Sequence, residues 1–278
     1  MKELLTHIYG SLNKRYDSRE LDSITATLCL EYLEIPQATY YLKDRIELSS
    51  EKTQMLNAAL ERLSCGEPLQ YILGYTPFCG LQFKVNNSVL IPRPETAELV
   101  EWVLMSVKDN VKVIDIGTGS GCIAITLSHN LKNAVIDACD ISDSALRVAV
   151  ENNSLNATNV NFHQRDILTN KEACTKYDVV VSNPPYITNS EKADMEDTVL
   201  DYEPHTALFV ADSDPLLFYR EIANFGKQNL NKDGMLFFEI NPLFAEQTII
   251  MLENAGYQNI ELRKDIFGKK RMIKAVNL

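Results

Sequence analysis

Two clusters of residues in this chain have the types and spacing to do chemistry. The first is Asp115-Ile116-Gly117-Thr118-Gly119-Ser120-Gly121, between an apolar run and a helical one. Its three glycines let the backbone turn tightly and let a ligand approach to van der Waals distance. About twenty residues on, Asp140 closes the next apolar run, where a carboxylate can accept both hydroxyls of a ribose. Together they point to a nucleoside cofactor. A dinucleotide fingerprint places glycines first, third and sixth. Here they stand first, third and fifth, with Cys122 sixth. That is nearer the E/DxGxGxG turn of S-adenosylmethionine enzymes, whose ligand carries a sulfonium cation and no phosphate. Asp115, Asp140 and Asp166 suit such a cation.

The second cluster is Ser182-Asn183-Pro184-Pro185-Tyr186, at the end of an apolar run. The lone pair of a planar amide or amine nitrogen is delocalised, so the nitrogen attacks a methyl group poorly unless its N–H groups are held. The Asn183 side-chain oxygen can accept one N–H and the Pro184 carbonyl the other, aligning the nitrogen and favouring the charge that develops on it. The prolines lock φ and hold that carbonyl outward. Tyr186 offers a flat wall for stacking. A cofactor turn followed by this clasp reads as amino-group methyl transfer.

Strands and helices must position these residues. From about residue 111 the pattern is strand, turn, helix, repeated. Val111–Asp115, Val135–Cys139, Val160–Phe162, Val179–Ser182 and Met235–Ile240 read as strands, with helices over Cys122–His129, after the Ser142 cap, after Pro215 and after Pro242. Such alternation predicts a mostly parallel, doubly wound α/β sheet with its ligand crevice at the carboxyl ends of the strands. Asn259–Leu262 and Met272–Val276 add a terminal antiparallel pair. Upstream, Leu21, Ile24, Leu28 and Tyr32, and then Met55, Leu56, Ala59, Leu60 and Leu63, form helical stripes. Residues 1–75 therefore read as a small helical domain. Leu81–Val85 and Ser88–Ile91 read as a hairpin around Asn86-Asn87, inside a linker over 76–94. The α/β domain is expected over 95–278, where Glu95 opens a helix at the positive end of its dipole.

Composition sets the exclusions. The 278 residues are 45% hydrophobic with 11 Gly and 10 Pro, which excludes disordered and low-complexity classes. No apolar run approaches the roughly 18 residues needed to cross a bilayer, and MKELLTHIYG has no apolar signal region, so a cytoplasmic chain without a membrane anchor is expected. The net charge of −11 and the lack of a basic stripe argue against nucleic acid and favour a cationic small molecule or a basic protein. Lys269-Lys270-Arg271, the only dense basic run, reads as the solvated lead-in to a last strand. Six scattered cysteines (Cys29, Cys65, Cys79, Cys122, Cys139, Cys174) form neither a zinc layout nor a disulfide framework. They read as reduced and mostly buried. No metal is expected, and the dispersed His7, His129, His163 and His205 take no role.

The chain resembles the PrmC/HemK family, the N5-glutamine methyltransferases of peptide chain release factors. The resemblance rests on Gln70–Gly74, Phe78–Phe83, Ile91-Pro92-Arg93-Pro94-Glu95-Thr96, Asp115–Gly121, Asp140, Asp166, Asn183–Tyr186, Glu203-Pro204, Tyr219-Arg220 and Glu239-Ile240. It implies a class I S-adenosylmethionine-dependent methyltransferase fold with a mostly parallel seven-stranded sheet and a small N-terminal helical domain that docks the substrate. It implies that Gly117, Thr118, Gly119, Ser120 and Gly121 wrap the methionine end of S-adenosylmethionine, that Asp140 holds the ribose, that Asp166 and Ile167 flank the adenine, and that Asn183 touches cofactor and substrate. Asn183, Pro184, Pro185 and Tyr186 would clasp the glutamine of a Gly-Gly-Gln motif in class 1 release factors, with S-adenosylhomocysteine as product. Two positions depart from the family pattern: Asn241 stands where Gly is frequent, and Ile167 where an aromatic is frequent. The competing reading is a DNA or RNA amino-methyltransferase using the same clasp on a flipped base; a nucleotide-binding adaptor without catalysis is a third.

Overall fold

The computed structural model describes residues 1–170 and 175–278; Cys174 falls outside them. The described residues divide into two compact units, Met1–Gly74 with Glu196–Tyr202, and Tyr75–Met195 with Glu203–Leu278.

The first unit is helical. Its longest helix, Ser50–Ser64, starts where the Ser49 hydroxyl accepts the Lys52 amide and buries Leu56, Ala59, Leu60 and Leu63. Asp17 caps Ser18–Thr27 in the same way, with Leu21 and Ile24 inward. These faces meet Ile8, Leu12 and Leu28 in a single apolar core. The Asp197–Tyr202 helix is part of this unit, and its Tyr202 hydroxyl donates to the Cys65 carbonyl (3.1 Å).

The second unit begins with a hairpin, β1 (Tyr75–Phe78) and β2 (Leu81–Lys84). The expected hairpin around Asn86-Asn87 is corrected: the turn is Cys79-Gly80, and Ser88–Ile91 is not a strand. Both turn residues have positive φ (49° and 78°), the twist that suits a two-residue hairpin. Asn86 makes a local turn of its own, accepting the Ser88 amide (2.9 Å). Phe78 and Phe83 of the hairpin are buried in the core of this unit.

The sheet strands follow: β3 (Lys112–Ile116), β4 (Val135–Asp140), β5 (Val160–Gln164) and β6 (Tyr177–Ser182). A two-residue parallel pair, β7 (Ile187–Thr188) and β8 (Phe209–Val210), lies outside the main sheet. β9 (Leu230–Glu239), β10 (Gln258–Lys264) and β11 (Lys270–Asn277) complete it. The order is β10-β11-β9-β6-β3-β4-β5, parallel except where β11 pairs antiparallel with β9 and β10. Val113, Ile114, Val179, Val180, Val181, Leu236 and Phe237 are almost wholly buried, as a sheet covered on both faces requires. Cys29, Cys122 and Cys139 are buried and unpaired, whereas Cys65 and Cys79 are exposed, the latter because it occupies the hairpin turn. No described helix is long and apolar enough to cross a membrane.

The chain runs outward from β3 through β4 to β5, then returns to the other side of β3 for β6. This reversal leaves a crevice at the carboxyl ends of β3 and β6. Asn152, fully buried on the helix Asp143–Leu155, ties the crevice to the hairpin. Its side chain accepts the Lys84 amide (2.6 Å) and donates to the carbonyls of Lys84 (3.0 Å) and Ser120 (2.9 Å). Replacing it by Ala strands buried backbone groups. We expect Asn152→Ala to cost about 3 kcal/mol in denaturant unfolding. An unchanged midpoint and slope would show that the tie carries no stability.

Candidate active site

β3 ends at Ile116, and the chain then turns sharply. The amides of Gly117 and Thr118 both donate to the Cys139 carbonyl at the end of β4 (2.8 and 3.0 Å), holding the turn against the neighbouring strand. Gly117 and Gly119 have φ of 75° and 54°, and a Cβ on either would point into open space. Gly121 differs: a Cβ there would meet Ile125 Cδ1 at 2.8 Å and Ala149 Cβ at 3.2 Å. The first two glycines keep a cradle empty, and the third lets two helices pack.

The cradle opens on a cavity of about 380 Å³, within the range of small-ligand sites. Gly117, Thr118, Gly119, Ser120, Asp140, Asp166, Ile167, Asn183, Pro184 and Pro185 all line it. Of the candidate site residues singled out from sequence, Asp115, Gly121 and Tyr186 do not. The described residues include no cluster of His, Cys, Asp or Glu that could hold a metal ion, and no histidine lines the cavity.

The three carboxylates expected near a cation divide into separate roles. Asp140 accepts the Gly119 amide on Oδ2 and the Ser142 amide on Oδ1, both at 2.9 Å. Each oxygen keeps a lone pair directed elsewhere, so the carboxylate can still accept two hydroxyls. Burial raises its pKa against the pull of those amides. Asp166 accepts the Leu168 amide (2.9 Å) and the Thr169 hydroxyl (3.2 Å), which fixes the turn after β5 beside the buried Ile167. Asp115 does not reach the cavity: it is fully buried beneath the turn, with the Thr118 hydroxyl donating to Oδ2 (2.6 Å) and no hydrogen bond to Oδ1. Burial pushes its pKa up to about 7, against the opposing influence of the Thr118 hydroxyl and the nearby Ala124 amide.

At the opposite wall, the buried Ser182 hydroxyl donates to the Ile116 carbonyl (2.6 Å) and pins the end of β6 to the end of β3. Asn183 follows, half-buried, with Nδ2 donating to Thr96 Oγ1 (3.3 Å). Thr96 sits in the first turn of the helix Pro94–Ser106 and donates to Oε2 of Glu239 (2.6 Å). The Tyr186 hydroxyl donates to Oε1 of the same carboxylate (2.9 Å). Tyr186 is thus anchored by its polar end, and it is not among the residues that line the cavity. Asn241 adds a second anchor, donating from Nδ2 to the Tyr186 carbonyl (3.1 Å). Arg93, on the cavity wall, pairs with the nearly buried Glu203 (2.6 Å). Sequence reading noted the segments holding Thr96, Arg93, Glu203 and Glu239 without assigning them work. Their pairing spans more than a hundred residues, so no local spacing reveals it.

The donor set fits S-adenosylmethionine: a glycine cradle empty of side chains, a two-handed carboxylate, and an apolar wall at Ile167.

Comparison with known proteins bears on this geometry. The PrmC N-terminal domain model matches residues 3–74, and the methyltransferase small domain model matches residues 96–201. The release factor glutamine methyltransferase of Bacteroides thetaiotaomicron is 44% identical over 276 residues, 99% of each chain. That of Flavobacterium psychrophilum is 42% identical over 279 residues, covering 99% of this chain and 98% of its own. Among solved structures, a methyltransferase from Pyrococcus furiosus aligns with a TM-score of 0.54 at 14% identity, covering 82% of this chain and 99% of that one. A Thermus thermophilus 16S rRNA N2 G1207 methyltransferase, solved with AdoMet and guanosine, aligns at 0.51 and 15% identity over 73% of this chain and 50% of its own. At such identities the two structures speak for the fold alone.

Two measurements test the site. Asp140→Ala should weaken S-adenosylmethionine binding by about 1.5–3 kcal/mol in calorimetry, the worth of a charged acceptor; unchanged affinity would remove Asp140 from the cofactor site. Asp115 tests the buried carboxyl. Its folded pKa lies above the unfolded value, so the folded state binds the extra proton and stability falls as pH rises toward 7, then levels. The stability of Asp115→Asn relative to the unsubstituted protein should therefore grow from about pH 4 to about 7 and stay constant above. A pH-independent difference would contradict the burial argument.

Proposed function

The chain belongs to the release factor glutamine methyltransferase family, and from that membership we propose how its own residues carry out the reaction. It is an S-adenosylmethionine-dependent methyltransferase of the class I fold, acting on release factor glutamine. S-adenosylmethionine, when bound, would supply an electrophilic methyl group and depart as S-adenosylhomocysteine, the substrate nitrogen giving up one N–H proton. The observation that carries the proposal is the position of Asn183: it lines the same cavity as the glycine cradle, on the opposite wall, and its amide donates to Thr96.

With Nδ2 committed to Thr96, Asn183 Oδ1 is the atom left to accept. It takes one N–H of the substrate carboxamide, and the Pro184 carbonyl takes the second. The nitrogen methylated is the side-chain N5 of the glutamine in the Gly-Gly-Gln motif of class 1 release factors. Two acceptors hold the amide plane still and favour the positive charge that grows on nitrogen as its bond to carbon forms. The prolines keep the carbonyl in place, and Tyr186 serves as their anchor. Gly117 and Gly119 admit the cofactor, Asp140 takes its ribose hydroxyls, and Asp166 and Ile167 bound the adenine. The apolar walls exclude water from the nitrogen. The helical domain, expected over residues 1–75, is left to recognise the rest of a folded, basic release factor, for which the net charge of −11 is suited. We place the reaction in the cytoplasm, where release factors act, with no nucleic acid or membrane as direct partner.

Asn183→Ala should lower single-turnover methylation of intact release factor by about 10²–10³, the usual cost of one aimed hydrogen bond at a transition state, with much smaller change in cofactor affinity. Mass spectrometry of the Gly-Gly-Gln segment should show the gain of one methyl on glutamine. Near-normal turnover by the Ala variant would reduce the Asn183–Tyr186 segment to a stiff turn. Transfer to duplex DNA or ribosomal RNA, offered side by side, would favour the nucleic-acid reading instead.

A further inference from the structure

The acceptor role of Asn183 depends on which way its carboxamide faces, since its oxygen and nitrogen occupy nearly the same shape. If the group turns over, a donor N–H₂ meets the donor N–H₂ of the substrate, and the clasp becomes repulsive. Something must set the direction.

A buried carboxylate does so. Glu239 is 1% exposed at the end of β9, and as an ion it can only accept. The Thr96 hydroxyl therefore spends its one proton on Oε2 at 2.6 Å. Thr96 Oγ1 is then left as an acceptor only, and the group within its reach is Asn183 Nδ2 at 3.3 Å. The second oxygen, Oε1, is filled by the Tyr186 hydroxyl at 2.9 Å, and Asn241 holds the carbonyl of the same Tyr186 at 3.1 Å. We propose that Glu239 and Thr96 are positioning residues that set the polarity of a hydrogen-bond chain and so fix Asn183 with its oxygen toward the substrate amide. The inference rests on the clasp reading of Asn183 given above. It accounts for the burial of an ion to which no side-chain cation among the described residues is bonded, which would otherwise be costly. It also gives work to two segments, Ile91–Thr96 and Glu239-Ile240, that the glycine turn and the clasp leave without any. Thr96 lines the cavity, but its hydroxyl is engaged by Glu239 and Asn183, and Glu239 does not line it. Both act through Asn183.

The chain predicts an order among substitutions. Thr96→Val keeps the volume and removes both the donor and the acceptor, so the carboxamide is free to turn. Glu239→Gln brings a donor to a site that sets polarity by accepting, so the chain no longer has one direction. Each should lower kcat for intact release factor by about 10- to 100-fold, the usual penalty for a misplaced positioning group. Cofactor affinity, measured by calorimetry on the same samples, should change less than about threefold, because the hydrogen bonds of Thr96 and Glu239 run to Asn183, Tyr186 and each other and not to the glycine turn or Asp140. Thr96→Ser keeps the hydroxyl and should restore most of the rate. In the double variant T96V/E239Q, the losses should not add, since a chain already cut has no polarity to lose.

Stopped-flow or quench-flow methylation by these variants, with Asn183→Ala alongside, separates two failures. If Asn183→Ala turns over normally, the clasp reading falls and the relay with it. If Asn183→Ala is slow while Thr96→Val and Glu239→Gln turn over like the unsubstituted enzyme, the clasp stands and the relay is wrong. Equal losses in Thr96→Val and Thr96→Ser, or additive losses in the double variant, would likewise reduce Thr96 and Glu239 to packing. Should Glu239→Gln fail to fold, the Thr96 pair alone decides.

Discussion

A carboxylate buried at the end of β9 organises the wall of the cavity opposite the cofactor turn. Removing a charge from water is costly, and the cost is met here by two hydroxyls, from Thr96 and Tyr186, each on a different oxygen. The positive charge of Arg271 also favours the ionised form, against the burial that raises its pKa. Because the two hydroxyls come from the helix Pro94–Ser106 and from the turn after β6, satisfying one ion fixes the relation of three elements. Asn183 lies between them. The same satisfaction that lets the sheet bury Glu239 leaves the asparagine with one orientation.

The other wall is governed by backbone geometry. A parallel sheet that reverses direction beside β3 leaves strand ends with no neighbour in line, and a ligand can enter there. Positive φ at Gly117 and Gly119 lets the chain leave β3 without a side chain in the space, while Gly121 lets Ile125 and Ala149 close up behind. The acidic residues divide accordingly. Asp140 faces the cavity with lone pairs to spare, and Asp115 is buried behind the turn, where its raised pKa reflects lost hydration. Asn152 then carries the position of Ser120 to the hairpin, so the cradle is braced from outside the sheet.

Much of this is legible in the residues alone, for a physical reason. Strand periodicity, glycine spacing and the Ser142 cap are local signals, and each lies within one element. The sheet strands from β3 onward and the terminal antiparallel pair accordingly match the expectation to within a few residues, apart from a longer start to β9. The hairpin lies upstream of its expected place because Asn86-Asn87 is a strong turn signal and Cys79-Gly80 a weak one, and the packing of Phe78 against Phe83 in the core favours the weak one. Tyr186 was read as a stacking wall because a ring after two prolines is a good one. Only the position of Glu239, 53 residues later, shows that its hydroxyl is spent. Asn241, a departure from the family pattern, bonds the Tyr186 carbonyl, and Asn152 joins segments 32 and 68 residues away. Hydrogen bonds across such separations leave no periodicity to read.

If Thr96 and Glu239 set the direction of Asn183, its side-chain oxygen receives an N–H of the substrate amide. Neutron diffraction on the complex with S-adenosylhomocysteine and a release factor tests it most directly, because it sees amide hydrogens. The glutamine nitrogen should donate to Asn183 Oδ1 and to the Pro184 carbonyl, with an Asn183 deuteron directed at Thr96 Oγ1. A glutamine nitrogen bound elsewhere, or Asn183 turned with its deuterons toward the substrate, would contradict it.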